Sequence, residues 1–425
     1  MALSYSTCPF SGSPARIRLA MLRRSFLKAA LALPSGGVLG RFERLVAADR
    51  GKVKITGIKL KPVSGVAHTL VRIDTDAGLS GYGESGVSGA MMKAWLERYA
   101  PLLIGQDPLA IQVHFHRMST LMHPYMARIP ALSGIDMALW DLAGRLSGRP
   151  VYQLLGGPFR ERVPMFINSQ PRDMLEKAAV RDWAAKLRED PLGFKAVKID
   201  AARPIGRPSG RYTTTLSNQD LRKIRTAFEN VRQELGPEYD IMVHCHNEFD
   251  LPSSVGIARA VEQIEPTWLE DPLPVAFSDS WVSLKRASRV PLLTGEKLEM
   301  PHGFYPFLQH QAVDYIYPDI AFCGGLTGIV KIATLAALYR IPVATHNVGG
   351  ILLTMASIHF GLSIHDFLTS ETRLGQTRDV LAMAKNPPEI QGGSAGVPEG
   401  PGLGVELDEA GVRRFQRPED PPEWV

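Results

Sequence analysis

Cysteine is scarce in this chain. Cys8, Cys245 and Cys323 are the only three among 425 residues, which excludes a disulfide framework. Long apolar runs are missing too. The nearest, inside "LRRSFLKAALALPSGG", is short and broken by glycine and proline, which excludes a stable membrane span. Acid is all but absent from residues 1–48, where Glu43 stands against Arg16, Arg18, Arg23, Arg24, Lys28, Arg41 and Arg44, a net of +6. The whole chain carries +5, so residues 49–425 carry −1 and offer no basic face for nucleic acid. What remains, at 45% hydrophobic and 21% charged, is an ordinary globular composition.

The concentrated N-terminal charge has its own reading. Arg23 and Arg24 open "RRSFLK", an apolar stretch follows, and "VAAD" (Val46 to Asp49) supplies a small-residue cleavage site. Residues 1–48 resemble a twin-arginine export signal, the bland alternative being a basic amphipathic tail. Met21 is a second candidate start, since residues 1–20 look like no part of a signal. The expectation is a protein exported already folded to the periplasm or another extracytoplasmic space, with no stable membrane association afterwards.

From residue 53 the pattern alternates in "KVKITGIKL" and then "HTLVRIDTDAGLSGYGE", read as two strands with a Gly-rich turn. Helical periodicity follows in "AMMKAWLERYAPLLIG" and "IPALSGIDMALWDLAGRL". Residues 53–160 therefore read as a small α+β unit. Beyond them, eight apolar runs alternate with helical segments: "VPMFINS", "FKAVKID", "IMVHCH", "TWLED", "PLLTGE", "VDYIYPD", "IPVATH" and "DFLTSE". The polar ends of seven runs, Lys198, His244, Glu270, Glu296, Asp319, His346 and Glu371, are spaced by 46, 26, 26, 23, 27 and 25 positions. A strand, a loop and a helix together span roughly 25 residues in a (β/α)8 barrel of about 250 residues, and such barrels place functional groups at the C-terminal strand ends. The long first interval holds "ARPIGRPSGRYTTTLSN", an insertion that reads as an active-site loop.

Glu270 and Glu296 close neighbouring runs, and two acids that close in an apolar setting require a cation. Hard oxygen donors favour Mg²⁺. The preceding run offers His244 as a third ligand. Side chains alternate along a strand, so His244 and His246 share one face while Cys245 faces a helix.

These residues carry a family resemblance. "GIDMALWDLAGRLSGRPVYQLLGG", "GFKAVKID", "WLEDPLP", "LLTGEKL", "PDIAFCGGLTG", "ATHNVGG" and "PEGPGLGVELDE", in this order and spacing, resemble the enolase superfamily and its mandelate racemase-like branch. The resemblance covers roughly residues 53–410. It implies a modified TIM barrel of (β/α)7β type over 161–375, an α+β capping domain over 53–160, and a segment 376–425 returning to the cap. It further implies Mg²⁺ holding the carboxylate of a small-molecule acid while a base removes the α-proton, and it makes a homo-oligomer the expected assembly. On this mapping His244, Glu270 and Glu296 are metal ligands, and His346 paired with Asp319 is the base. Lys198 is the first lysine of a Lys-x-Lys motif whose second position is Asp200. Glu371 is the acid that, when protonated, hydrogen-bonds the enediolate oxygen. His246 matches the histidine that protonates the departing 3-hydroxyl in sugar-acid dehydratases such as those for galactonate and mannonate. In those the ligand is aspartate, and His244 in its place brings Mn²⁺, Fe²⁺ or Zn²⁺ into contention.

A dehydrating lyase is therefore the leading expectation. An epimerase or racemase with His246 or Asp200 as second base is its rival, followed by a metal-dependent hydrolase and an inactive exported binding protein. His114, His116, His302, His310, His359 and His365 lie off the strand ends and read as surface or core histidines; His123 is the best exception. "GGLTG" reads as the start of a barrel helix in preference to a phosphate cradle. "TDAGLSGYGES" reads as a specificity loop, and Arg203, Arg207 and Arg211 as residues able to steer an anion.

Overall fold

The computed structural model describes residues 52–63, 68–121, 128–206 and 215–425, with backbone alone at 373–376. The export signal, its cleavage site, His123, Arg207 and Arg211 lie outside the described residues.

Alternating sequence builds the first sheet. Strands β1 (Ile55–Val63), β2 (His68–Thr75) and β3 (Ser80–Ser85) pair antiparallel in that order. The stretch "TDAGLSGYGES" is thus the end of β2, a tight turn and β3, in line with the Gly-rich turn expected there. Three helices follow, α1 (Gly89–Leu103), α2 (Ile111–Thr120) and α3 (Arg128–Ser147). Their apolar faces bury Met92, Tyr99, Phe115, Met118, Leu132 and Leu139 with Leu60, Val71 and Ile73 of the sheet. Gly81 and Gly83 allow β3 to lie on the backbone of α3: an added Cβ would stand 2.3 Å from the Ala138 carbonyl and 2.2 Å from that of Gly134.

After the single turn α4 (Val151–Leu154) the strands become parallel. They are β4 (Arg162–Asn168), β5 (Ala196–Asp200), β6 (Asp240–His244), β7 (Trp268–Glu270), β8 (Leu292–Thr294), β9 (Tyr315–Ile316), β10 (Val343–Thr345) and β11 (Phe367–Arg373). Each pairs with its successor, and β11 returns to β4, closing the eight-stranded barrel. The helices between them are α5 (Lys177–Glu189), α6 (Asn218–Leu235), α7 (Leu251–Val261), α8 (Asp279–Ala287), α9 (Met300–Gln309), α10 (Gly325–Leu338) and α11 (Ile351–Ser363). Residues 161–373 therefore form a (β/α)7β barrel. Alternation sorts each strand: Val197, Ile199, Ile241, Val243 and Leu292 join the core beneath the helices, while Phe166, Met242, Trp268, Leu293 and Tyr317 fill the lumen.

The tail adds α12 (Leu374–Leu381), the short strands β12 (Ile390–Gln391) and β13 (Ser394–Gly396), and α13 (Glu409–Arg413). β13 pairs antiparallel with Arg162–Pro164, at the start of the first barrel strand. Leu403 N–H then donates to Asp141 of α3 at 2.6 Å, and Val425 exchanges backbone hydrogen bonds with Leu60 of β1 at 2.6 and 3.0 Å. Helix α3 also reaches the barrel. Gly324 N–H donates to Ser133 Oγ at 3.0 Å and Thr327 N–H to Asp136 at 2.9 Å, so "GGLTG" opens α10 with its amides already taken. Among the described residues no helix is long and apolar enough to cross a membrane.

Candidate metal centre and acid–base site

Strand parity delivers the centre. Lys198 lies between the outward Val197 and Ile199, so it points into the lumen; His244 and Glu270 follow Met242 and Trp268 inward on β6 and β7. Register sets His244 beside Glu270. Glu296 stands just beyond β8, Asp319 and His346 just beyond β9 and β10, joined by a parallel bridge, and Glu371 within β11. All seven are buried.

His246 reaches the site by a different route from strand alternation. β6 stops at His244, and His246 and Asn247 adopt left-handed backbone at φ 53° and 64°. The turn folds the His246 ring onto His244, with centroids 3.6 Å apart. Lys297 braces this turn, donating to His246 O at 3.1 Å and Asn247 Oδ1 at 2.7 Å while pairing with Glu296 at 3.0 Å. Asp200, where a second lysine would stand, lies 3.7 Å from His246 Nδ1. Cys245 lies in the core beneath the helices, where burial pushes its thiol far up.

His244, Glu270 and Glu296 each present one donor atom, all within 4.8 Å of one another, the one such cluster among the described residues. His244 Nε2 is 3.4 Å from Glu270 Oε1 and 3.8 Å from Glu296 Oε2. His244 Nε2 and Glu296 Oε2 are buried without a hydrogen-bond partner. Each such orphan costs roughly 1–3 kcal/mol, a penalty that a coordinated cation removes. Burial, reinforced by the charge of Lys198, holds His244 neutral, the form that binds a metal. The residues fit a divalent ion. One imidazole with two carboxylates accommodates Mn²⁺, Fe²⁺ or Zn²⁺ as well as Mg²⁺.

A charged ring surrounds the cluster. Lys198 Nζ bridges Glu270 at 3.0 Å and Glu371 at 2.8 Å. Burial opposes its charge, yet Glu270, Glu371 and Glu296 outweigh burial and hold the ammonium protonated. Burial pushes the Glu270 carboxyl up to about 8. At Glu371 burial is outweighed by Lys198 and His346, and the carboxyl falls below its ordinary range. The Lys198 ammonium and the Tyr317 hydroxyl both donate to Glu371. Sequence reasoning passed over Tyr317, Lys297 and Trp268, whose Nε1–H donates to Glu270 at 3.1 Å. Tyr317 and Trp268 were findable as lumen residues by strand parity, whereas Lys297 acts from a loop.

His346 and Asp319 form a dyad, Nδ1 to Oδ2 at 2.6 Å, and Asp319 is fixed by the Ala321 N–H at 2.7 Å. His346 Nε2 faces the centre, 3.3 Å from Glu296 and 3.6 Å from Glu371. Burial lowers its pKa, but Glu296, Glu371 and Asp319 raise it to about 9. The other described histidines find structural partners or lie away from the centre. His114 contacts the Asp107 carbonyl at 2.8 Å, His310 stacks on Phe277, and His359 accepts from Tyr152 N–H at 3.1 Å.

The chain is similar to known proteins over most of its length. Residues 46–156 match the mandelate racemase/muconate lactonizing enzyme N-terminal domain, and residues 179–411 match the enolase C-terminal domain-like model. D-xylonate dehydratase of Haloferax volcanii is 34% identical over 85% of this chain and 90% of its own. D-galactarolactone cycloisomerase of Agrobacterium fabrum is 28% identical over 83% and 92%. A mandelate racemase/muconate lactonizing enzyme-like protein from Rubrobacter xylanophilus superposes with a TM-score of 0.80 at 31% identity, covering 87% of this chain and 98% of that one. The chain belongs to the enolase superfamily, in its mandelate racemase/muconate lactonizing enzyme branch.

Proposed function

We propose that the protein is a sugar-acid dehydratase, a hydro-lyase that removes the proton α to a carboxylate and expels the 3-hydroxyl as water. The observation that carries this reading is the placement of two histidines about one cluster. His346 Nε2 lies 3.3 Å from Glu296, and the His246 ring lies with its centroid 3.6 Å from that of His244. Relatives named as dehydratases of D-xylonate and D-gluconate support elimination as the outcome.

His244, Glu270 and Glu296 would hold the divalent ion, which when bound binds the substrate carboxylate and acidifies the α-proton. His346 Nε2 takes that proton once its own has been lost, as it would be when a cation held by Glu296 offsets the charge that keeps the ring protonated. Asp319 fixes the tautomer and stabilises the imidazolium. The C–H electron pair moves into the enediolate, whose negative charge is stabilised by the buried ammonium of Lys198. Collapse of the enediolate breaks the C3–O bond, His246 delivers a proton to the leaving oxygen, and the enol tautomerises to a 2-keto-3-deoxy acid.

One observation favours a second reading. Burial lowers His246 to about 4, so in the free protein it is a neutral base, the form an epimerase needs on the second face. The negative charge of an incoming carboxylate favours protonation and hence the acid role. Incubation with a panel of sugar acids and Mg²⁺ or Mn²⁺ in D₂O separates the readings. Dehydration gives a keto acid detectable with semicarbazide, epimerisation gives a deuterated diastereomer, and exchange without either product under all conditions refutes both. His346→Asn abolishes the exchange if the base is correctly assigned. We further propose that Arg23 and Arg24 direct export; a reporter fused after residue 60 that crosses the membrane only with both arginines intact supports this.

A further inference from the structure

We infer that Glu84, with His68, is a positioning residue for the acid–base dyad, acting from the capping domain on the loops that carry His346 and Asp319. The inference rests on the reading of His346 as the base. Glu84 is fully buried in β3, and its carboxylate is used completely. Oε1 accepts from Gly350 N–H at 2.6 Å and meets His68 Nδ1 at 2.9 Å, and Oε2 accepts from Leu353 N–H at 3.1 Å. Gly350 and Leu353 open α11, the helix that begins immediately after the His346 loop, so a carboxylate of the cap closes the N-terminus of a barrel helix.

The loop has little freedom left. Between His346 and Gly350 the chain is further tied by Asn347, which donates to Thr354 Oγ1 at 2.9 Å and accepts from Gly349 N–H at 3.1 Å. A Cβ at Gly349 would stand 2.7 Å from Glu84 Oε1 and 2.8 Å from His68 Nδ1, so the loop is pressed directly on the pair. The Asp319 loop is held by the same cluster. Phe322 meets the His68 ring edge-on at 6.0 Å, and a Cβ at Gly86 would stand 2.6 Å from that phenyl ring. One buried patch of the cap therefore sets both halves of the dyad against each other, without touching the reacting atoms.

The test uses the full-length protein with metal. A cap contact of purely structural value would lower stability and leave the catalytic rate alone. Asp141→Asn is the control, because Asp141 is an equally buried cap carboxylate whose partners, Tyr82 N–H, Leu403 N–H and Arg145, are not on the loops that carry His346 and Asp319. Glu84→Gln is expected to lower kcat for α-proton exchange ~100-fold with KM within about threefold, the scale for displacing a catalytic group by an ångström. It should also broaden or shift the low-field NMR signal of the His346–Asp319 proton. Asp141→Asn should lower Tm comparably while keeping both the rate and the signal. If Glu84→Gln does not fold, His68→Phe carries the same two measurements. Wild-type rate and an unchanged low-field signal in the folded variant overturn the inference. If the wild type exchanges no α-proton, the reading of the base falls, whereas the NMR signal still decides whether Glu84 orders the dyad.

Discussion

Raising the pH of the metal-free protein is expected to weaken its fold between about pH 6.5 and 9. His346 ordinarily titrates at 6.5 and in the folded site at about 9, so between those values the folded form keeps a proton that the unfolded chain has released. Stability then falls as pH rises, and the contribution is fully present below 6.5 and gone above 9. The shift corresponds to roughly 3 kcal/mol. Glu270, raised from 4.5 to about 8 by burial, contributes with the same sign, roughly 2 kcal/mol more over the part of the window it covers. Nothing resolved in the site opposes them there. The depressed Glu296 and Glu371 act below 4.5, the depressed His244 and His246 below 6.5, and the raised thiols of Cys245 and Cys323 above 9.0. A divalent ion on His244, Glu270 and Glu296 would reduce both contributions, since it would keep Glu270 ionised and offset the Glu296 charge at His346, leaving Glu371 and Asp319 to raise the imidazole. The assay is guanidinium unfolding at pH 6.5, 7.5, 8.5 and 9 in EDTA and in excess Mg²⁺ or Mn²⁺. A loss of several kcal/mol in EDTA, flattened by metal and reduced by about 3 kcal/mol in His346→Asn, is the expected pattern. Stability that stays flat or rises with pH in EDTA refutes the reasoning.

Other outcomes follow from single contacts. His244→Asp restores an all-carboxylate ligand set and is expected to raise Mg²⁺ affinity about tenfold or more relative to Zn²⁺, read by competitive metal titration. Tyr317→Phe removes the hydroxyl from Glu371 and Lys198; kcat should fall ~10-fold or more and stability by roughly 1 kcal/mol, measured by steady-state kinetics and denaturation. Lys297→Met frees the turn carrying His246 while leaving His346 in place. Elimination should fall at least ~10-fold with α-exchange retained, as followed by product formation and deuterium uptake in parallel.

The barrel was legible because its strands are short, buried on both faces and closed by polar residues at a nearly constant interval. From His244 to His346 each residue singled out lies at or just beyond the end of its strand, whereas Lys198 and Glu371 sit two residues short of the ends of theirs. Spacing carries that information because one strand, one helix and two loops have narrow length ranges. The geometry of His246 was not legible. A period-2 argument puts it on the His244 face, but the strand stops and two consecutive left-handed residues do the work. His68 and Lys297 escaped for a related reason: their partners are distant in sequence or are backbone atoms, and neither leaves a local pattern. The strands and Gly-rich turn of the cap were legible from alternation, whereas the close packing of Gly81 and Gly83 on α3 leaves no local pattern.

Pairing of β13 with the first barrel strand has a kinetic consequence. Arg162–Pro164 find their antiparallel partners only at Ser394–Gly396, after every other barrel strand has been made. Contacts of such sequence separation are slow to form, and an unpaired strand edge waits on them. The slow phase of refolding should therefore combine closure of the barrel, which joins Met165 to Ser370, with docking of the segment after α12. A protease cut between residues 385 and 390 would then give a long-lived, aggregation-prone species instead of a smaller folded domain.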